Sequence, residues 1–267
     1  MPLFHLIILS IIQGVTEFLP ISSSGHLVLY PQLTGAPDQG LAIDVAVHVG
    51  TLGAVLLYFR RDVALAVVGG LKLLTGDFKS PGARLALLLI LSAIPVMIVG
   101  VVLKLTGATD QLRSVAVIGW ATIVWGVVLY VADKTGAEIK TGEQWTLRDA
   151  LAMGVAQCFA LIPGTSRSGV TMTAARSMGY TRVEAARLSM LMSIPAIVAA
   201  GGLLSLELLG DESTTLGADA LMAAGFSFIA ALLALVGMMR MLQTWSMTPF
   251  VIYRMALGVG LLIFAYG

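Results

Sequence analysis

Two short segments of the chain hold the side chains that could carry out a reaction. The first reads Gln13-Gly-Val-Thr-Glu17-Phe-Leu-Pro20-Ile-Ser22-Ser23-Ser24-Gly25-His26. Gln13 and Glu17 are four apart and therefore share one face of a helix. Pro20 must break that helix, and the Ser/Gly run beyond it can turn backbone N–H groups and hydroxyls toward an anion. The second reads Pro163-Gly164-Thr165-Ser166-Arg167-Ser168-Gly169-Val170-Thr171. A guanidinium among hydroxyls at a helix start suits phosphate oxygens, which arginine binds through paired hydrogen bonds. Together the segments offer a carboxylate, an imidazole, hydroxyls and an arginine, a set fitted to handling a phosphate ester.

The elements that must position these groups lie in a membrane. The 267 residues are 58% hydrophobic and only 12% charged, with a mean hydropathy of +0.93. A soluble domain carries about 25% charged residues, so this chain has too little polar surface to cover a water-soluble globule. The net charge of +1 gives no basic patch and excludes nucleic acid as the expected partner. The single cysteine, Cys158, supports neither an internal disulfide nor a Cys-based metal site. The start of the chain has no basic region before its apolar run, so a cleaved signal peptide is not expected.

Six stretches reach the ~20 apolar residues that a crossing helix needs: Leu41–Phe59, Arg84–Leu105, Ser114–Ala132, Arg187–Leu209, Asp219–Met239 and Pro249–Tyr266. The two reactive segments sit in the only other apolar regions, 3–30 and 147–180, and both of these are interrupted. A shift of 144 positions pairs Gln13 with Gln157, Ser22 with Ser166, Ser24 with Ser168 and Gly25 with Gly169. The expected fold is therefore an all-α polytopic membrane protein, a single integral membrane domain over 1–267. It contains two repeats, over 1–135 and 146–267, each a broken re-entrant helical hairpin followed by three transmembrane helices. Three crossings between the copies would invert the second, as in many transporters. Irregular backbone at membrane depth must be buried in protein or line a cavity, so the hairpins should face each other.

The basic residues agree with this layout. Twelve fall on one side: Arg60, Arg61, Lys72, Lys79, Arg84, Lys134, Lys140, Arg148, Arg176, Arg182, Arg187 and Arg240. Only Lys104 and Arg113 fall on the other, beside an acidic loop with Asp211 and Glu212. The basic side is expected to be cytoplasmic, with the first hairpin opening outward. Arg167 and Arg254 remain at membrane level. Asp44 and His48, four apart on the first full span, are read as structural, pairing with each other or with Arg254. Met190–Met192 reads as packing.

At its two reactive segments the sequence resembles the bacitracin-resistance type of undecaprenyl-diphosphate phosphatase, the UppP/BacA family. One motif of that family is matched by Gln13, Glu17 and Phe18 to His26, the other by Pro163 to Thr171, and Leu191 to Pro195 is also similar. The resemblance implies hydrolysis of a C55 isoprenyl diphosphate to the monophosphate, which recycles the lipid carrier of cell-wall synthesis. It implies a bacterial cytoplasmic membrane location, a site open to the outer side, and a divalent cation, Mg²⁺ or Ca²⁺. The implied catalytic residues are Glu17, His26, Arg167 and Ser23, with Glu17 also holding the metal. Ser166 and Thr171 are implied phosphate-binding residues, with Gln13 at the variable position. Ser22, Ser24 and Ser168 join that set from their place in the two segments, the alternative for Ser22, Ser23 and Ser24 being to satisfy backbone groups of the broken helix. Gln13 departs from the family by placing a neutral amide where a second metal-binding carboxylate can stand.

The expected partners are the polyprenyl diphosphate substrate and membrane lipids, and a homodimer is compatible with the sequence. The nucleophile is left among His26, a serine and water, with His26 favoured over Ser23. The competing reading is a transporter or flippase for an anionic or lipid-phosphate substrate, because broken helices in inverted repeats also serve transport. The Gly-His pair is shared with type-2 phosphatidic acid phosphatases, yet no histidine follows Arg167, so that class's second histidine is missing.

Overall fold

The computed structural model describes residues 3–35, 40–107, 112–209 and 217–267. Among them the fold is all-helical: α1 Leu3–Phe18, α2 Ser23–Thr34, α3 Leu41–Tyr58, α4 Arg60–Leu74, α5 Pro81–Thr106, α6 Val115–Thr135, α7 Leu147–Gln157, α8 Arg167–Ser177, α9 Arg182–Leu209, α10 Ala218–Met241 and α11 Thr248–Tyr266. Single 3₁₀ turns lie at Gly142–Gln144 and Cys158–Leu161. Six helices are long and apolar enough to cross a membrane: α3, α5, α6, α9, α10 and α11. They match the six expected spans. The broken regions are α1–α2 and α7–α8. Asp211 and Glu212 of the expected acidic loop lie outside the described residues.

One element departs from the sequence reading. The stretch between the first two expected spans, placed in no expected helix, forms the fifteen-residue helix α4. Its charges sit at its ends (Arg60, Arg61, Asp62 and Lys72), so the apolar middle looked like part of a loop too short to span. It packs on α5 through glycines: a Cβ on Gly69 would lie 2.0 Å from the Gly82 carbonyl carbon.

Close backbone approach recurs where the broken regions meet the long helices. A Cβ on Gly14 of α1 would lie 2.6 Å from the Ser227 carbonyl oxygen of α10, so glycine lets those helices touch. In lipid, where apolar burial does not drive association, such contacts carry the packing. Phe18, Met172, Leu188, Met190, Met192 and Leu235 are buried together in the main core. Large apolar side chains such as Leu105, Trp120 and Leu221 are exposed, forming a surface that acyl chains would solvate.

The charges assigned to the basic side of the chain converge in the fold. Arg176, with 0% exposure, donates from Nε to Asp133 Oδ1 at 3.2 Å and from Nη2 to the carbonyls of Asp133 and Gly136. Arg182 Nε reaches the same Asp133 oxygen at 2.7 Å, while the Met247 N–H donates to Oδ2 at 3.1 Å. Arg187 pairs with Asp62 and Glu184, tying α9 to the start of α4. Burial, reinforced by the hydrogen bond to Asp149, pushes the Tyr180 phenol well above its usual range, so it remains a donor.

Candidate active site

Each broken region is interrupted for a local reason. After α1, Pro20 offers no N–H and disfavours helix at Leu19, so the chain leaves the helix over residues 19–22. Ser22 then takes a φ of 79°, and its Oγ accepts the Gly25 N–H at 3.3 Å, capping α2. After α7 and its 3₁₀ turn, Gly164 takes a φ of 91°. A Cβ there would lie 2.4 Å from the Ile118 carbonyl oxygen of α6, so only glycine fits. Ser166 follows at a φ of 71°, and its Oγ accepts the Gly169 N–H at 3.1 Å, capping α8. Among the described residues Ser22 and Ser166 are the only non-glycine positions with positive φ, and they are the pair related by the 144-residue shift.

The two breaks meet. Ser168 Oγ donates to the Leu19 carbonyl at 2.9 Å, joining the second break to the first. Arg254 of α11, with 0% exposure, donates from Nη1 to the Pro20 carbonyl and from Nη2 to the Gly164 carbonyl, each at 3.1 Å. Its Nε donates to the Thr122 carbonyl, also at 3.1 Å. The guanidinium thus binds a backbone carbonyl in each of the two breaks. It pairs with these carbonyls and not with Asp44 or His48. His48 Nδ1 donates instead to the Asp44 main-chain carbonyl at 2.7 Å.

The reactive groups assemble around Glu17, which is buried near the end of α1. Its Oε2 accepts from Gln13 Nε2 at 3.0 Å and from Ser23 Oγ at 2.7 Å. Its Oε1 accepts from Arg167 Nη2 at 3.2 Å, across 150 positions of chain. Arg167 Nη1 donates to the Ser189 carbonyl of α9 at 3.2 Å. These bonds use two of the five guanidinium N–H groups, and the side chain keeps 14% exposure, so donors remain for an anion. Neither charge suits its own helix, since Glu17 lies at a C-terminal end and Arg167 at an N-terminal one. Each is stabilised by the other.

The remaining expected residues divide by what holds them. Thr171 Oγ1 donates to the Arg167 carbonyl at 2.8 Å and lies 2.6 Å from Ser189 Oγ, bracing the first turn of α8. Ser166 and Ser168 are buried 3.1 Å apart, with their hydroxyls committed to the break itself. The Ser24 side chain lies outside the described residues. His26 stands on α2 with both ring nitrogens occupied: Nδ1 donates to the Ser22 carbonyl, and Nε2 lies 2.6 Å from Tyr253 Oη.

Ser189 and Tyr253 were not singled out by sequence. Ser189 is one small residue in an apolar helix and leaves no pattern. Tyr253 had a signal, because it adjoins Arg254, the only charge in its span.

The donor set was compared with what a divalent cation requires. Among the described residues no group of three or more His, Cys, Asp or Glu side chains could hold a metal ion. Gln13 Oε1, however, is buried without a hydrogen-bond partner, while the nitrogen of the same amide is tied to Glu17. One carboxylate and one orphaned amide oxygen, both hard ligands, fit an ion that takes the rest of its shell from substrate phosphate and water.

Comparison with known proteins extends over the whole chain. The family model described as bacitracin resistance protein BacA matches residues 6–260. The chain is 58% identical over 266 residues to proteins named undecaprenyl-diphosphatase from Roseobacter denitrificans and Dinoroseobacter shibae, covering 100% of each pair. A third of the same name, from Ruegeria pomeroyi, is 56% identical over 266 residues with equal coverage.

Proposed function

The chain belongs to the bacitracin resistance protein BacA family, and we propose that it hydrolyses undecaprenyl diphosphate to undecaprenyl phosphate and inorganic phosphate at the Glu17–Arg167 pair. The reaction returns the lipid carrier of cell-wall synthesis to use. The observation that carries the assignment to this site is the contact between Glu17 and Arg167, one from each break. It sets a carboxylate, a guanidinium with spare donors and two capped helix starts in one place.

The geometry supports one set of roles. Arg167 and the first turns of α2 and α8 receive the phosphate oxygens and neutralise the charge that develops on them. Ser22, Ser166, Ser168 and Thr171 hold those turns in shape. A divalent cation, Mg²⁺ or Ca²⁺, held by Glu17 and the Gln13 amide oxygen, would supply further charge neutralisation when bound. Ser23 donates to Glu17 and fixes the carboxylate. His26 supplies Nε2, whose lone pair either attacks the terminal phosphorus or takes the proton of an attacking water. In both routes the bond from that phosphorus to the bridging oxygen breaks and the lipid monophosphate leaves; in the first, water then cleaves the P–N bond to His26 and releases inorganic phosphate.

The coincidence of the two Ser caps under one shift supports reading 1–135 and 146–267 as inverted repeats. The side holding Asp133, Arg176, Arg182 and Arg187 is read as cytoplasmic, which places the site toward the outer face of the bacterial inner membrane. In a Cys158→Ser background, single cysteines in α4 should resist an impermeant thiol reagent in intact cells, and labelling there would reverse the orientation.

Phosphate release decides the activity. The purified protein should liberate inorganic phosphate from long prenyl diphosphates, and excess chelator should abolish it. Inactivity with every divalent cation would sink the assignment, and full activity in chelator would remove the cation.

A further inference from the structure

Tyr253, the sixth residue of α11, stands against His26 from a different helix and lies outside both reactive segments. The two rings are nearly parallel, 10° apart with centroids at 5.7 Å, and Tyr253 Oη lies 2.6 Å from His26 Nε2. On the other side of the imidazole, Nδ1 lies 2.6 Å from the Ser22 carbonyl oxygen. A carbonyl can only accept, so Nδ1 carries the proton. In the neutral ring Nε2 is then the acceptor, and the Tyr253 hydroxyl must donate to it. Both nitrogens are therefore assigned by their partners.

Tyr253 is held in place by its neighbour. Arg254 is fully buried and fastened to Pro20 and Gly164, one residue in each break, so the first turns of α11 are locked to the same backbone that carries His26. Tyr253 itself keeps 44% exposure, so its hydroxyl is reachable from outside the core.

We propose that Tyr253 is a positioning residue for His26: its hydroxyl holds the Nε2 lone pair in the resting site and passes to a phosphoryl oxygen when the prenyl diphosphate enters. The exchange frees Nε2 at the moment the phosphorus arrives and replaces one hydrogen bond by another, with no bond made or broken in Tyr253. This rests on the reading of His26 as the reacting imidazole.

The test uses full-length protein in detergent, with ¹⁵N-labelled histidine. Tyr253→Phe keeps the stacked ring and removes only the donor. The His26 Nε2 resonance should move toward that of an unbonded nitrogen while Nδ1 stays protonated. In phosphate release from a C55 diphosphate, kcat should fall about tenfold with KM changed less than about twofold. Tyr253→Leu, which loses the ring as well, should show the same resonance change with a larger loss of kcat. Wild-type kcat in Tyr253→Phe, or a loss of kcat with the Nε2 resonance unmoved, would overturn the proposal. His26→Ala is the separate control. If that variant turns over normally, the reading of His26 falls and takes the proposal with it, whereas an inactive His26→Ala beside an unaffected Tyr253→Phe rejects Tyr253 alone.

Discussion

The first break, residues 19–22, and the second, residues 162–166, share a closing serine turn and differ in cargo. Both end in a serine at positive φ whose Oγ caps the amide three residues on. Beyond that shared turn the side chains diverge. Where α1 carries Glu17, the equivalent position after α7 is Leu161, and where α8 begins with Arg167, α2 begins with Ser23. Even the glutamines differ in state. Gln13 is tied to Glu17, while Gln157 is buried with both polar ends unpartnered because its equivalent of Glu17 is a leucine. Two matching serine turns thus carry an acidic group beside one break and a basic group beside the other. Neither half alone holds a complete site, and the fold matters because it presses the halves together.

The largest effect should come from removing what holds the breaks to each other. Arg254→Met removes a charged donor from the carbonyls of Pro20, Thr122 and Gly164, of which Gly164 keeps the Thr122 hydroxyl at 3.2 Å. Each hydrogen bond lost from the charged guanidinium costs about 1.5–3 kcal/mol, so stability should fall by about 3 kcal/mol or more, measured as thermal unfolding in detergent. A wild-type melting temperature would mean that the breaks are held together elsewhere.

A smaller effect probes the equivalence of the turns. Ser22→Ala and Ser166→Ala each delete a cap while keeping an unfavourable φ, and each should cost about 0.5–2 kcal/mol. The loss should be slightly greater at Ser166, whose hydroxyl also meets Ser168. Ser22→Gly and Ser166→Gly should be nearly silent, within a few tenths of a kcal/mol, since glycine accepts the positive φ that the lost cap supported. Melting temperatures that change at one break only would show that the turns are not the same device.

How much of this could be read from the chain depended on which property left a trace in composition. The six long helices were visible because lipid demands long apolar runs, and the breaks were visible because Pro20, Pro163 and the Ser/Gly runs interrupt such runs. Glu17 and Arg167 stood out as charges at membrane depth. Helix α4 was hidden because its terminal charges resemble a loop. Tyr253 was hidden for another reason: a tyrosine in an apolar helix is ordinary, and only its placement against His26, 227 positions away in sequence, gives it meaning. The pairing of Arg254 with carbonyls was equally unreadable, since carbonyls belong to every residue.

The central claim is that the two halves form one reacting unit, and a double-mutant cycle on Glu17 and Arg167 tests it. Arg167→Lys keeps the charge but loses the planar fork, and Glu17→Gln removes the carboxylate while preserving its shape. Each should lower kcat/KM by about 10²–10³-fold, and Glu17→Gln should also lower the melting temperature, because Arg167 loses the carboxylate that stabilises it. Residues that act together lose their joint contribution once. The account therefore predicts that Glu17→Gln/Arg167→Lys is impaired little more than the worse single variant. If the two losses multiply, Glu17 and Arg167 serve separate purposes and the shared site is wrong.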